Sequence, residues 1–469
     1  MEYPQFLKQL SKLIDPLYIV GGFVRNRLLS APVSDIDICS PMTAEQVLSA
    51  LTGSEFACQS VYKATGTMCI VHKPTGQAAE YAMLRSESYV RGHTPSQVQQ
   101  ETDPKKDALR RDFTANAIYF HVQSQSFSDP CGGIEDIKNR TLRTVDDPAR
   151  VFADDGLRVL RLVRQSAQLG FKPHPQTVEA AGAAAKNLKD ISKERISAEL
   201  MAILQADTAY PQLPGTEFAH ERGVRMLIDL GAMEYIIPEL LEGRGMAQRA
   251  DFHRYDVLEH TLQVLKASPP QIRLAALLHD IAKPSRFLKT GKFAGHDTEG
   301  AQTAYSICRD ALKLSRRECC ETAELVRLHM VDLQGNMSEK KLRWFLAQHS
   351  GIMPKLLMLK QADYVGSGIK SDTAPSVIRF TQLLQRMRQE GAPFSLKELN
   401  ISGKDVSSAL GSDSISLTAA VLSRLWRRAA IDPSLNNRDA LLKLLPTAID
   451  EEKQRAEHAA EKAADKNSI

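Results

Sequence analysis

Two aspartates one residue apart, in Val33-Ser34-Asp35-Ile36-Asp37-Ile38, follow closely on Val20-Gly21-Gly22-Phe23-Val24-Arg25. Isoleucines alternating with the acids predict a strand buried on one face, with Asp35 and Asp37 together on the other. Two carboxylates fixed that way suit Mg²⁺, which takes one or two carboxylates and completes its shell with water and substrate phosphates. The glycine pair lets backbone N–H groups approach an anion, and Arg25 supplies charge for phosphate. A D-x-D alone is commonly a pair of solvated acids. Coupled to the glycine–arginine loop it points to phosphoryl transfer.

Two further constellations follow. In Arg110-Arg111-Asp112-Phe113-Thr114-Ala115-Asn116 the arginines could hold phosphates, while Asp112 and Asn116 offer groups suited to a ribose or a base edge. The bland alternative is a surface arginine pair ahead of a strand. In Asp154-Asp155-Gly156-Leu157-Arg158-Val159-Leu160-Arg161-Leu162-Val163-Arg164, arginines at three-residue spacing form a slanting basic ridge beside an apolar stripe. Asp155 and Arg158, one helical turn apart, could hydrogen-bond a base or simply form an i,i+3 ion pair.

A different chemistry sits downstream. Leu277-Leu278-His279-Asp280-Ile281-Ala282-Lys283-Pro284 places adjacent His and Asp at the end of an apolar helix, where burial is costly without a partner such as a metal. His260 lies upstream, and His296, His329 and Asp363 follow at long intervals. Lys283 is either a phosphate-positioning cation or a solvated lysine.

The elements that must position these groups change character along the chain. Tyr18–Val20, Ile36–Ile38, Thr67–His72, Ala78–Leu84, Asn116–Val122 and Thr141–Val145 read as strands. Lys73-Pro74-Thr75-Gly76 is a hairpin turn, and Phe23–Leu29 a helix behind the glycine loop. Glu80, on a neighbouring strand, is either a third acid or a solvated strand residue. Beyond about residue 146 helical periodicity dominates, with a helix expected from Asp154 to Gln168. The fold class is therefore α+β: a head with a small β-sheet, followed by all-α domains.

At 469 residues the length fits roughly three domains. A net charge of +4 is too small to argue for nucleic acid by itself, but arginines concentrate at 110–111, 158–164 and 424–428 as candidate phosphate-facing stripes. Seven scattered cysteines without a C-x-x-C pair fit reduced thiols in the cytoplasm. No secretory leader and no apolar run of membrane-spanning length is apparent, so no membrane partner is expected.

Taken together, in this order and spacing, the three head motifs resemble the class II tRNA nucleotidyltransferases, the CCA-adding enzymes and their poly(A) polymerase relatives. Asp129-Pro130-Cys131-Gly132-Gly133-Ile134-Glu135-Asp136 and Ile191-Ser192-Lys193-Glu194-Arg195-Ile196-Ser197-Ala198-Glu199-Leu200 extend the resemblance over about residues 15–205. It implies that Asp35 and Asp37 bind catalytic Mg²⁺ and that Gly22 and Arg25 contact the triphosphate. Arg111, Asp112 and Asn116 would hold phosphate and sugar. Asp155 and Arg158 would read the base of CTP or ATP, with Arg161 and Arg164 facing phosphates. Glu194, Arg195 and Glu199 would brace the neck helices.

The His/Asp series resembles the HD phosphohydrolase superfamily. It implies a divalent transition metal held by His260, His279, Asp280, His296, His329 and Asp363. The implied layout is a catalytic head at 1–145, a helical neck at 146–216, an HD domain at 217–370, a C-terminal RNA-supporting segment at 371–449 and a charged, solvated tail at 450–469. The implied partners are the tRNA 3′ end, CTP and ATP, with no protein partner. Two departures from the family pattern stand out. Asn26 replaces an aspartate, and Asp154 replaces a glutamate. An A-adding or poly(A)-forming relative is the nearest competing reading; an HD phosphohydrolase with an RNA-holding head is the more distant one.

Overall fold

The computed structural model describes residues 1–33, 35–62, 66–88, 97–411 and 414–466. It divides into two compact units: residues 1–247 with 256–266 and 303–320, and residues 248–255 with 267–302 and 321–469.

The first unit opens with nine strands: β1 (Tyr18–Val20), β2 (Asp37–Ser40), β3 (Phe56–Tyr62), β4 (Thr67–His72), β5 (Ala78–Met83), β6 (Arg85–Ser88), β7 (Gln97–Gln100), β8 (Tyr119–His121) and β9 (Ser126–Ser128). Seven form one sheet in the order β3-β4-β5-β2-β1-β8-β9, while β6 and β7 pair separately. The β2–β5 pairing is parallel and the others in the large sheet are antiparallel. Alternation fixes the faces. Met68, Ile70 and His72 of β4 and Ala79 and Tyr81 of β5 are buried, leaving Cys69 and Glu80 on the opposite face. Register then lays Asp37, Glu80, Cys69 and Ser60 side by side across four strands.

Several expectations need correction. The strand holding the aspartates begins at Asp37, and Asp35 is an exposed residue just ahead of it. Strands β3, β6, β7 and β9 escaped the pattern reading; in β3 a register shift between Cys58 and Ser60 breaks the alternation. The strand expected over Thr141–Val145 shrinks to Thr141–Leu142, and Thr114–Asn116 is a 3₁₀ turn ahead of β8. The hairpin turn is where the sequence puts it, closed by Gly76 N–H donating to His72 O at 2.8 Å.

The helix expected to begin at Asp154 is two helices, Pro148–Asp154 and Leu157–Leu169, broken at Asp155-Gly156. The break is at Asp155, whose backbone is extended (φ −147°, ψ 109°), while Gly156 is already helical and packs so closely that a Cβ there would lie 2.8 Å from the Asn187 carbonyl oxygen. Asp155 still caps the second helix, its Oδ1 accepting from Leu157 N–H at 3.0 Å. Lys193–Leu204 and Ala219–Asp229 complete the helical layer behind it.

In the second unit the long helices are Glu339–Gln348, Met353–Gly366, Pro375–Gln389, Ile415–Ile431 and Arg438–Lys466. Val406, Val421, Leu425, Leu441 and Leu445 form a buried cluster among the last of them. Trp426 is a packing residue, edge-on to Trp344 and donating Nε1–H to Pro393 O at 2.9 Å. The tail is not wholly solvated. Arg438–Lys466 is one helix, and Glu451 and Glu452 pair with Arg424 and Arg428 at 2.5–2.7 Å. Those two arginines are therefore committed to the fold instead of forming a free phosphate-facing stripe. Residues 467–469 lie outside the described residues. Among the described residues no helix is long and apolar enough to cross a membrane.

Candidate functional site

A cavity of 650 Å³ in the first unit is lined by Gly22, Arg25, Asp35, Asp37, Arg111, Asp112, Asn116, Asp155, Arg158, Arg161 and Arg164, all singled out above, whereas the candidate third acid Glu80 is not among its lining residues. Its acidic side is set by Asp37. Burial pushes this carboxyl above the usual range, and neighbouring Glu80 and Asp35 push it the same way against the pull of Arg111 and Arg161. A cation relieves that crowding, so the acids fit a divalent metal.

Gly21 closes tightly over Asp37. Its φ is +77°, and a Cβ there would sit 3.0 Å from Asp37 Oδ2. A Gly21→Ala substitution therefore strains the turn by about 1–3 kcal/mol and displaces the carboxylate. The expected result is a drop in kcat of about tenfold or more with the fold kept, read by steady-state kinetics and circular dichroism.

The opposite wall is an arginine framework. Arg25 donates to Asn116 Oδ1 at 2.6 Å and to Gln165 Oε1 at 3.3 Å. The Asn26 departure has a physical account: its Oδ1 accepts from two Arg25 nitrogens at 3.1 and 2.8 Å, and its Nδ2 donates to Pro32 O and Tyr210 Oη. An aspartate could accept from Arg25 but could not make the two donations.

Asp112 is the hub. It receives Arg161 Nε at 2.7 Å and Asn116 Nδ2 at 3.0 Å, and its own Oδ1 takes the Phe113 N–H at 2.8 Å. Burial opposes its charge, yet Arg161, the bonds from Asn116 and Arg161, and nearby Arg158 hold the carboxyl well below the usual range. Arg111 is held by Asp107 and Tyr119 at 3.0–3.2 Å, and Arg164 by Glu199 at 2.6 Å.

Asp155 and Arg158 both reach the cavity but do not pair with each other. Arg158 donates to the carbonyls of Val151 and Arg110 at 2.9 and 2.6 Å, and its nearest acid is Asp154 at 3.8 Å. Asp155 Oδ2 accepts from Arg195 at 3.0 Å. Arg195 thus lines the cavity as well as bracing the neck. Gln165, missed from the sequence, falls one turn beyond Arg161 on the same face, which is the signal that could have found it.

In the second unit Asp280, His296 and His329 converge, with ligand atoms within 4.8 Å of one another. Asp280 Oδ1 lies 3.1 Å from His296 Nε2 and 3.7 Å from His329 Nε2, and the two Nε2 atoms are 3.2 Å apart. Each ring uses its Nδ1–H on a backbone carbonyl, His296 on Phe293 at 2.9 Å and His329 on Val326 at 2.6 Å. That leaves lone pairs on both Nε2 atoms facing one carboxylate oxygen, a donor set that fits a metal cation. His279 Nε2 stands 3.2 Å from Asp280 and 3.8 Å from Asp363. His260 is buried on the helix Val257–Ala267. Lys283 is neither solvated nor free: it is buried, 2.7 Å from both Asp280 and Gln248. Lys360 was also missed; buried in a helix that reads as ordinary core, it donates to the carbonyls of His329 and Val331 at 2.8 and 2.6 Å.

Three family matches fall on these regions: residues 17–143 match the Poly A polymerase head domain, 170–214 the probable RNA and SrmB-binding site of polymerase A, and 253–366 the HD domain. The A-adding tRNA nucleotidyltransferase of Deinococcus radiodurans is 32% identical over 425 residues, 84% of this chain and 86% of that one. The chain belongs to the tRNA nucleotidyltransferase family.

The multifunctional CCA protein of Chromobacterium violaceum is 32% identical across 67% of the nucleotidyltransferase described here and 74% of its own length. Among solved structures, the Bacillus stearothermophilus CCA-adding enzyme in complex with CTP shares the fold at a TM-score of 0.65, with 21% identity over 97% of this chain and 100% of that one. The Thermotoga maritima CCA-adding enzyme complexed with tRNA does so at 0.58, with 17% identity over 96% of each. Nucleotidyltransferase and HD domains generally use divalent metals, which agrees with the acids around Asp37 and with the Asp280, His296 and His329 set.

Proposed function

We propose that the chain is a CTP/ATP:tRNA nucleotidyltransferase that builds or repairs the 3′-terminal CCA of tRNA without a nucleic-acid template. The observation that carries this is the convergence of the acid pair, the glycine loop and the arginine framework on one cavity. The 3′-oxygen of the RNA attacks the α-phosphorus of the nucleotide. A new O–P bond forms as the bond to the β-phosphate oxygen breaks, pyrophosphate leaves with the electron pair, and the hydroxyl proton passes to solvent. Asp35 and Asp37 hold Mg²⁺, which when bound supplies charge stabilisation at the reacting phosphate. Gly22, Arg25 and Arg111 position phosphates, Arg161 and Arg164 extend that positive wall, and Asp112 and Asn116 keep it in place. Asp155 and Arg158 read the base by exchanging their present partners, Arg195 and two backbone carbonyls, for its edge. With tRNA and nucleotides as substrates, the site of action is the cytoplasm.

Incubation of tRNA lacking CCA with CTP alone tests the reading: two cytidines are expected. No incorporation of CTP into that tRNA, with a single adenylate added from ATP to tRNA already ending in CC, instead supports an A-adding enzyme, the second reading, which the length of the match to the Deinococcus radiodurans relative favours.

We further propose that Asp280, His296 and His329, with His279, Asp363 and His260 by their order in the sequence, hold a divalent transition metal for phosphoester hydrolysis. His329→Ala should remove that metal, read by elemental analysis, while nucleotide addition stays within about twofold; a matching loss of addition overturns the independence of the two sites.

A further inference from the structure

Arg25 differs from every other arginine that lines the cavity. Each of the others has a carboxylate oxygen at 2.6–3.8 Å. Among the described residues Arg25 forms no ion pair, and the acceptors it reaches are the neutral amide oxygens of Asn26, Asn116 and Gln165. It is also only 8% exposed. Burial draws its pKa below the usual arginine value, and Arg164 pulls the same way against Tyr210 and Asp112. Asp112 acts from beyond ion-pair distance, its oxygens being taken by Arg161, Asn116 and the Phe113 N–H. A guanidinium stays charged even so, and a buried charge without a counter-ion is costly.

Asn26 sets this state. It is buried, and its Oδ1 receives both Arg25 Nε at 3.1 Å and Nη2 at 2.8 Å, a fork that a carboxylate could take equally well. The amide is held the right way round from behind. Pro32 O can only accept, so it fixes Nδ2 on that side at 2.8 Å, with Tyr210 Oη at 3.0 Å, and turns Oδ1 towards the arginine. Arg25 is thereby kept in one geometry by an oxygen without net charge. Its Nη2 also faces the glycine turn, where a Cβ on Gly22 would lie 3.5 Å away. An anion entering the cavity meets a guanidinium that is already fixed and not yet neutralised, which lowers the ordering cost of binding and strengthens the contact.

We propose that Asn26 is a positioning residue that sets the affinity of the site for pyrophosphate: its neutral oxygen keeps the Arg25 charge available, so pyrophosphate binds without a divalent metal and stabilises the fold. The inference rests on the nucleotidyltransferase reading of the cavity, in which pyrophosphate is the product. The same feature opposes product release, because the leaving anion hands a buried charge back to the cavity. An aspartate at position 26 would neutralise Arg25 and let the anion go more readily.

Isothermal titration of the full chain with sodium pyrophosphate in EDTA tests this. Saturable binding to the wild-type protein is expected, with Tm rising as pyrophosphate is added. Asn26→Asp should raise the pyrophosphate Kd about tenfold and shrink that rise in Tm. Asn26→Ser loses the clamp without adding charge and should raise the Kd by less than about threefold. Should Asn26→Asp fail to fold with a carboxylate against Pro32 O, Gln165→Glu brings a carboxylate to Arg25 from its other side and is expected to weaken pyrophosphate in the same way. No binding in EDTA overturns the proposal, as does a Kd unchanged in Asn26→Asp or raised equally in Asn26→Ser. If the wild-type protein adds no nucleotide to any tRNA yet these affinities hold, the activity reading fails and the anion site stands. If it adds nucleotides but a charge at position 26 leaves the pyrophosphate Kd unmoved, this inference fails alone.

Discussion

Asp37→Ala is expected to abolish nucleotide addition, lowering kcat by about 10³-fold or more, the several kcal/mol that a metal held at the reacting phosphate contributes. The carboxylate lines the cavity, where burial and the charges of Glu80 and Asp35 raise its pKa and make a bound cation favourable. Removing it relieves that crowding, so the variant should fold as well as the parent. A thermal melt together with single-turnover incorporation of labelled CTP separates the two effects. Retained incorporation would remove Asp37 from the chemistry.

The second large effect is structural. Asp112→Ala strips the carboxylate that organises Arg161 and Asn116 and leaves buried donors without their acceptor. Breaking such a pair costs about 3 kcal/mol, the lower end of the range for buried ion pairs because Arg161 is partly solvated. Chemical denaturation should show that loss, and nucleotide affinity should fall with it because the arginine wall loses its register. The pH dependence has a definite sign. The folded-state carboxyl lies below the unfolded value of about 4, so its stabilisation is complete above that pH and drains as pH falls toward the folded value. Asp112→Asn should therefore flatten part of the acid limb of the stability curve, and an unchanged limb would contradict the assignment.

How much of this was legible in the sequence follows from what each signal encodes. The alternation of Ile36 and Ile38 with two aspartates identified the strand at the centre of the site, because period-two burial is local. Its true start at Asp37 depends on pairing with β1 and β5, which is not local. The need for glycine at 156, next to the break, was hidden because the approach of the Asn187 backbone, which excludes a Cβ there, comes from a distant segment. Arg158 reads as a base-recognition group by its type and spacing, but its commitment to the carbonyls of Val151 and Arg110 is a tertiary fact. Likewise the Arg424 and Arg428 stripe looked free until Glu451 and Glu452 closed on it from the last helix. Among the histidines, order along the chain named the candidate ligands, while the tautomers set by the carbonyls of Phe293 and Val326 needed coordinates.

The central claim is that the cavity around Asp37 performs untemplated addition of C, C and A to tRNA. Mass analysis of a tRNA ending one residue before CCA, after incubation with all four nucleoside triphosphates, tests it most directly. A product heavier by two cytidylates and one adenylate, with growth stopping there and none seen with Asp37→Ala, is the predicted result. A product carrying only adenylates, or an open-ended tail, would contradict it.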